Sequence, residues 1–121
     1  MTAIRLPNTS HSDLLALVSQ ELLAQEKKWG PQDYPDGTGP QNTWAYRGRA
    51  QDVREQSWRE TDVHSDLGSV TFRHILAEEM FETFAETDPE KLSTELVHVA
   101  AVALQWAAAI GRRAAKDGTR V

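Results

Sequence analysis

The chain has 121 residues, of which 40% are hydrophobic and 26% charged, the composition of one globular domain of ordinary size. It contains no cysteine, which excludes disulfides, thiolate nucleophiles and cysteine-ligated zinc or iron–sulfur centres. A formal net charge of -5, with no basic cluster beyond Lys27–Lys28 and Arg112–Arg113, argues against non-specific binding to DNA or RNA. The N-terminal "MTAIRLPNTSHSD" lacks a signal-peptide apolar core, and no apolar run reaches the ~20 residues of a bilayer span. The expectation is a cytoplasmic protein with neither a nucleic-acid nor a membrane partner.

The first predicted helix begins at Ser12, a plausible N-cap. It carries Leu14, Leu15, Val18, Leu22 and Trp29 at helical spacing and stops at Gly30. The segment "GPQDYPDGTGPQN" holds three glycines and three prolines, so it forms neither helix nor central strand and reads as a loop. A second helix is expected from about Thr43 to Thr61, with Tyr46, Ala50 and Val53 on one stripe, broken by "DVHSDLGS". The third, "VTFRHILAEEMFETFAET", places Phe72, Leu76, Met80 and Phe84 on a four-residue ladder expected to face the core.

The fourth helix starts at "DPEKL", with Asp88 as cap and Pro89 at the first helical position, where its missing N–H costs nothing. It is expected to run into "GRRAAKDG", with Gly118 as terminator. No strand pattern or repeat is visible. The fold class is therefore all-α: a four-helix bundle in one domain over 1–121, with tails at 1–11 and 114–121, and with the third and fourth helices as antiparallel neighbours. The alanine-rich, nearly all-round apolar fourth helix calls for burial on both sides, which a homodimer supplies.

The chemistry is concentrated on the last two helices. Glu78, Glu79, Glu82 and Glu86 have no lysine or arginine between Arg73 and Lys91 to offset them, and like charges at i,i+4 destabilise a helix by a few tenths of a kcal/mol each. Glu79, Glu82 and Glu86 share one face, as do Glu95 and His98 on the fourth helix. Folding the hairpin at Asp88 puts Glu82 and Glu95 level, both roughly 10 Å along their helices, and Glu79 and His98 level at roughly 14 to 15 Å. Carboxylates clustered in a partly buried site need counter-charge, and a divalent cation supplies it. Glu79, Glu82, Glu95 and His98 are thus the candidate metal ligands. A solvated acidic face and a hydrogen-bonded core histidine are the alternatives, but neither requires two ligand pairs at equal height. His11 and His64 read as surface residues, and His74 as an i,i+4 partner of Glu78.

"EEMFE", then twelve residues, then "ELVH" resembles the signature of the MazG-like nucleotide pyrophosphohydrolases, all-α proteins with EExxE followed downstream by ExxD. The resemblance is strongest from about Phe72 to Ile110, and the "KWGPQDYPDGTG" loop is similar to that of small phage and actinobacterial members. It implies a MazG-like bundle completed by dimerisation, with Glu79, Glu82 and Glu95 as metal ligands and His98 where the family has aspartate. It further implies a metal-dependent enzyme that hydrolyses a nucleoside triphosphate, NTP or dNTP, to monophosphate and pyrophosphate.

Mg²⁺ is the expected cofactor, with Mn²⁺ possible because imidazole suits manganese better than magnesium. Glu82 and Glu78 would be the catalytic carboxylates, Glu78 taking a proton from the attacking water. Lys27, Lys28 and Arg73 are candidate phosphate contacts, or helix-terminal charges in the case of the lysines. Trp29 is a candidate for base stacking, with a core position as the favoured alternative. The "PDGTG" loop either closes over substrate or is an ordinary surface turn. A different class of function stays open: a non-catalytic, helical nucleotide- or metal-binding regulatory protein whose site is degenerate at His98.

Overall fold

The computed structural model describes residues 10–42 and 48–117. Four helices appear in the order α1 (His11–Trp29), α2 (Ala50–Asp66), α3 (Phe72–Ala85) and α4 (Pro89–Lys116), with no strand among the described residues. The fold is all-α. Contacts divide the chain into two compact units, Met1–Tyr34 with Ala103–Val121, and Pro35–Val102.

In the first unit, α1 begins at Ser10 rather than Ser12. The Ser10 hydroxyl accepts from the Asp13 N–H at 3.2 Å, satisfying one of the donors that a helix start leaves unpaired. Gly30 ends the helix with φ 73° and its N–H donates to the Glu26 carbonyl at 2.8 Å, the left-handed cap that glycine makes without a Cβ penalty. Leu14 is the buried residue of α1. Leu15, Val18, Leu22, Leu23 and Trp29 are exposed, so most of the expected core stripe lies open in the single chain. Of the α4 alanines, Ala108 and Ala109 are buried.

In the second unit α2 packs on α3. The buried side of α2 is the stripe Ala50, Val53, Ser57 and Thr61, spaced by three or four residues as one helix face requires. Its side chains are small, which lets two helix backbones approach closely. The first α2 donors are met by loop carbonyls, Ala50 N–H to Asn42 at 2.7 Å and Gln51 N–H to Pro40 at 3.1 Å. The same loop is pinned to the end of α3 by the Gly39 N–H, which donates to the Phe84 carbonyl at 2.8 Å.

Three expectations for this unit change. The expected start of the second helix, at Thr43 with Tyr46, falls in 43–47, outside the described residues. Its C-terminal end runs on through Asp66, because "DVHSD" continues the helix and the chain reverses only at Leu67–Gly68, where Gly68 takes φ 72°. The four-residue ladder of α3 is buried only in part: Met80 is exposed and Phe72, Leu76 and Phe84 are half-buried, while the buried residues are His74, Thr83 and Ala85. His74 and Ala85 share one side of the helix and Thr83 lies opposite, so burial does not follow the single face that hydrophobicity marks.

The Asp88 carboxylate accepts from the Lys91 N–H at 2.9 Å and Pro89 follows as the first residue of α4, as expected. The helix continues through Lys116, into the segment expected to be tail, while Gly118 lies outside the described residues. By length and composition alone α4 is apolar enough to cross a membrane, although part of that stretch is buried in the protein.

Candidate metal centre

The segment 86–88 joins α3 to α4. It is held by the Glu86 carboxylate, which accepts from the N–H groups of Thr87 and Asp88 at 3.2 and 3.1 Å. The turn presents Glu79 of α3 to Glu95 and His98 of α4. His98 Nδ1 lies 3.7 Å from Glu79 Oε2 and 3.6 Å from Glu95 Oε2. These separations are too long for hydrogen bonds and close to the roughly 3 Å spacing of ligands that share one divalent ion.

Both carboxylate oxygens, Glu79 Oε2 and Glu95 Oε2, are buried and have no hydrogen-bond partner. An unsatisfied buried acceptor costs about 1–3 kcal/mol, more when it is charged. Two of them facing one imidazole nitrogen make a site that fits a cation, and the three residues offer ligand atoms all within 4.8 Å of one another. Desolvation pushes the Glu79 carboxyl above the usual glutamate range. The Glu82 charge pushes the same way, His98 opposes it, and Glu95 and Glu78 add smaller repulsions.

Glu82 is placed differently. It is near enough to repel Glu79, but its Oε1 accepts a hydrogen bond from the Trp58 indole N–H of α2 at 2.8 Å. Trp58 in turn lies under the Arg54 guanidinium, 4.7 Å from its ring centroid, within cation–π range. Neither residue stands out in the sequence. The available signal was a tryptophan four residues after an arginine, on a helix otherwise rich in charge.

Glu78 faces α2, not the cluster. Its carboxyl is raised first by desolvation, with a Thr61 hydrogen bond opposing and the Glu82 and Asp62 charges adding to the rise. Arg73 lines a separate cleft of about 260 Å³ between α2 and α3, together with Glu60 and His74. Lys27, Lys28 and Trp29 belong to the first unit, where Lys28 Nζ lies 4.7 Å from the Trp29 ring centroid. Trp29 is 63% exposed, so the favoured core placement fails: it is the last residue of α1, and its ring stacks with a lysine instead of packing inside.

The second unit holds a further, mainly apolar cavity of about 260 Å³, lined by Asp36, Gly37 and Thr38 of the glycine-rich loop and by Phe81, Phe84 and Leu96 among others. None of the four candidate ligands lines it. The loop forms one side of this half-open cavity. In comparisons with known proteins, no family model, no curated protein and no solved structure matches this chain.

Proposed function

We propose that the protein is a metal-dependent nucleoside triphosphate pyrophosphohydrolase of MazG-like type. The observation that carries this reading is the pair of buried, unpartnered carboxylate oxygens of Glu79 and Glu95, presented from two helices to His98. Glu79, Glu95 and His98 would hold the ion, with the Glu82 carboxylate, held by Trp58, beside Glu79. A divalent ion bound there neutralises phosphate oxygens and lowers the pKa of an attacking water. Mg²⁺ is the reference cofactor, and the imidazole favours Mn²⁺.

To serve as proton acceptor, Glu78, whose carboxyl is raised by desolvation, has to turn from Thr61 of α2 toward the cluster. The apolar cavity behind the glycine-rich loop has the lining that suits a nucleobase. Within the first unit, Leu15, Leu22, Leu23 and Ile110 are exposed, apolar side chains of the kind a homodimer covers.

A second reading, a nucleotide- or metal-binding regulatory protein without turnover, is favoured by His98 at the aspartate position and by the tie of Glu82 to Trp58. Incubation with a panel of nucleoside triphosphates, in Mg²⁺ and separately in Mn²⁺, separates the two. Monophosphate and pyrophosphate as products, lost in Glu82→Gln with the helices intact, support the enzyme. Absence of turnover with both metals supports the binding protein.

A further inference from the structure

The α2–α3 turn brings together a second group of ligands that the nucleotide chemistry does not use. Glu60 and His64 lie one turn apart on α2, on one face, and His74 comes from the first turn of α3. The three offer ligand atoms within 4.8 Å of one another. The two imidazole centroids lie 4.3 Å apart, with the ring planes tilted by 32°. His74 Nε2 lies 3.7 Å from Glu60 Oε1, and is buried with no hydrogen-bond partner in a residue only 7% exposed.

The remaining ring nitrogens are held from behind. His64 Nδ1 is 2.9 Å from Ser69 Oγ, whose hydroxyl donates to the His64 carbonyl. Ser69 is thereby the acceptor for an Nδ1–H, which leaves the His64 Nε2 lone pair free. His74 Nδ1 takes the place usually filled by glutamate or glutamine in a capping box: it accepts from the Thr71 N–H at 3.1 Å and lies 2.7 Å from Thr71 Oγ1. A metal-bound histidine usually donates the N–H remote from the ion; His64 already does so toward Ser69, and His74 would do so only with its proton on Nδ1.

We propose that Glu60, His64 and His74 form a binding site for a zinc-class divalent ion, distinct from the α3–α4 cluster. Two imidazoles and one carboxylate suit zinc rather than magnesium or calcium, and three protein ligands leave a fourth position for water. Glu60 and His74 both line the cleft that also holds Arg73, so that position is reached from solvent. Coordination carries a tautomer change. Without the ion, the bond from the Thr71 N–H keeps the His74 proton on Nε2. With the ion on Nε2, the proton sits on Nδ1 and is donated to Thr71 Oγ1, and the exposed Thr71 N–H turns to water. The ion also ties the end of α2 to the start of α3.

The test is zinc titration by calorimetry in the full chain carrying Glu95→Gln and His98→Gln, which removes the other cluster, together with ¹⁵N spectra of the histidine rings. The expected result is one bound zinc, a His74 switch from the Nε2–H to the Nδ1–H tautomer, and affinity lowered by more than about 100-fold in His64→Ala, beyond what loss of a supporting group costs. If circular dichroism shows that His64→Ala loses helix, Glu60→Gln, at an exposed carboxylate, carries the test with a loss of at least about tenfold. No zinc binding, an affinity unchanged by these substitutions, or a His74 ring still Nε2–H at saturating zinc would overturn the proposal.

Discussion

Glu95→Gln separates a cation site from an ordinary buried polar contact, because the two predict opposite signs. In the metal-free protein the Glu79 and Glu95 ligand atoms lie within 4.8 Å. At that distance two negative charges repel by about 1 kcal/mol in bulk water and by about 3.5 kcal/mol at an effective dielectric constant of about 20. Neither Oε2 has a hydrogen bond to lose, and a glutamine amide at position 95 removes one charge and offers a donor. The substitution should stabilise the metal-free chain by at least about 1 kcal/mol, raising Tm by about 4 °C for a domain of this size.

Mn²⁺ should reverse the order of the two proteins. At a hundred times its Kd a ligand adds about 2.7 kcal/mol, which is about 10 °C here, and this gain belongs to the native sequence while Glu95→Gln keeps little of it. The assay is thermal unfolding by circular dichroism, in EDTA and in a series of MnCl₂ concentrations. A Glu95→Gln protein less stable than the native one in EDTA, or a native protein indifferent to Mn²⁺, would refute the cation-site reasoning.

Three further outcomes follow from the same geometry. Because the folded-state carboxyls of Glu78 and Glu79 are raised by desolvation and neighbouring charge, the folded chain holds protons that the unfolded chain has released. Their ionisation therefore costs stability as pH rises from the unfolded value through the folded one, a cost fully present above both and absent below both. Glu79→Gln should accordingly raise the metal-free Tm at neutral pH and lose that advantage in acid. Mn²⁺ affinity of the native protein, read by calorimetry, should climb over the same pH window as protons leave Glu79. Trp58→Phe removes the donor to Glu82 Oε1, a bond to a charged acceptor worth about 1.5 kcal/mol and less at this partly exposed position; urea unfolding should show a loss of about 1 kcal/mol, and an unchanged midpoint would mean that Glu82 is not held there.

Much of the helical frame can be read locally. Ends such as Gly30 and Asp88–Pro89 are decided by single-residue chemistry, a left-handed cap and a side-chain acceptor, so they stand in the structure where the sequence places them. The meeting of Glu79 with Glu95 and His98 was legible for a similar reason: the short connection at Asp88 and the constant rise of a helix set heights along the pair without reference to the rest of the chain.

Rotation about the helix axes was not legible. Which residues of α3 are buried depends on what packs around the helix, and this buries His74 and Thr83, on opposite sides, while leaving Met80 exposed. The same packing turns Glu82 toward Trp58, aims Glu78 at Thr61, and makes His74 a capping residue with an unpartnered nitrogen instead of an i,i+4 partner of Glu78. Spacing within one helix states which side chains share a face. Only the neighbouring helix, through its side-chain volumes and hydrogen-bond donors, decides what that face meets.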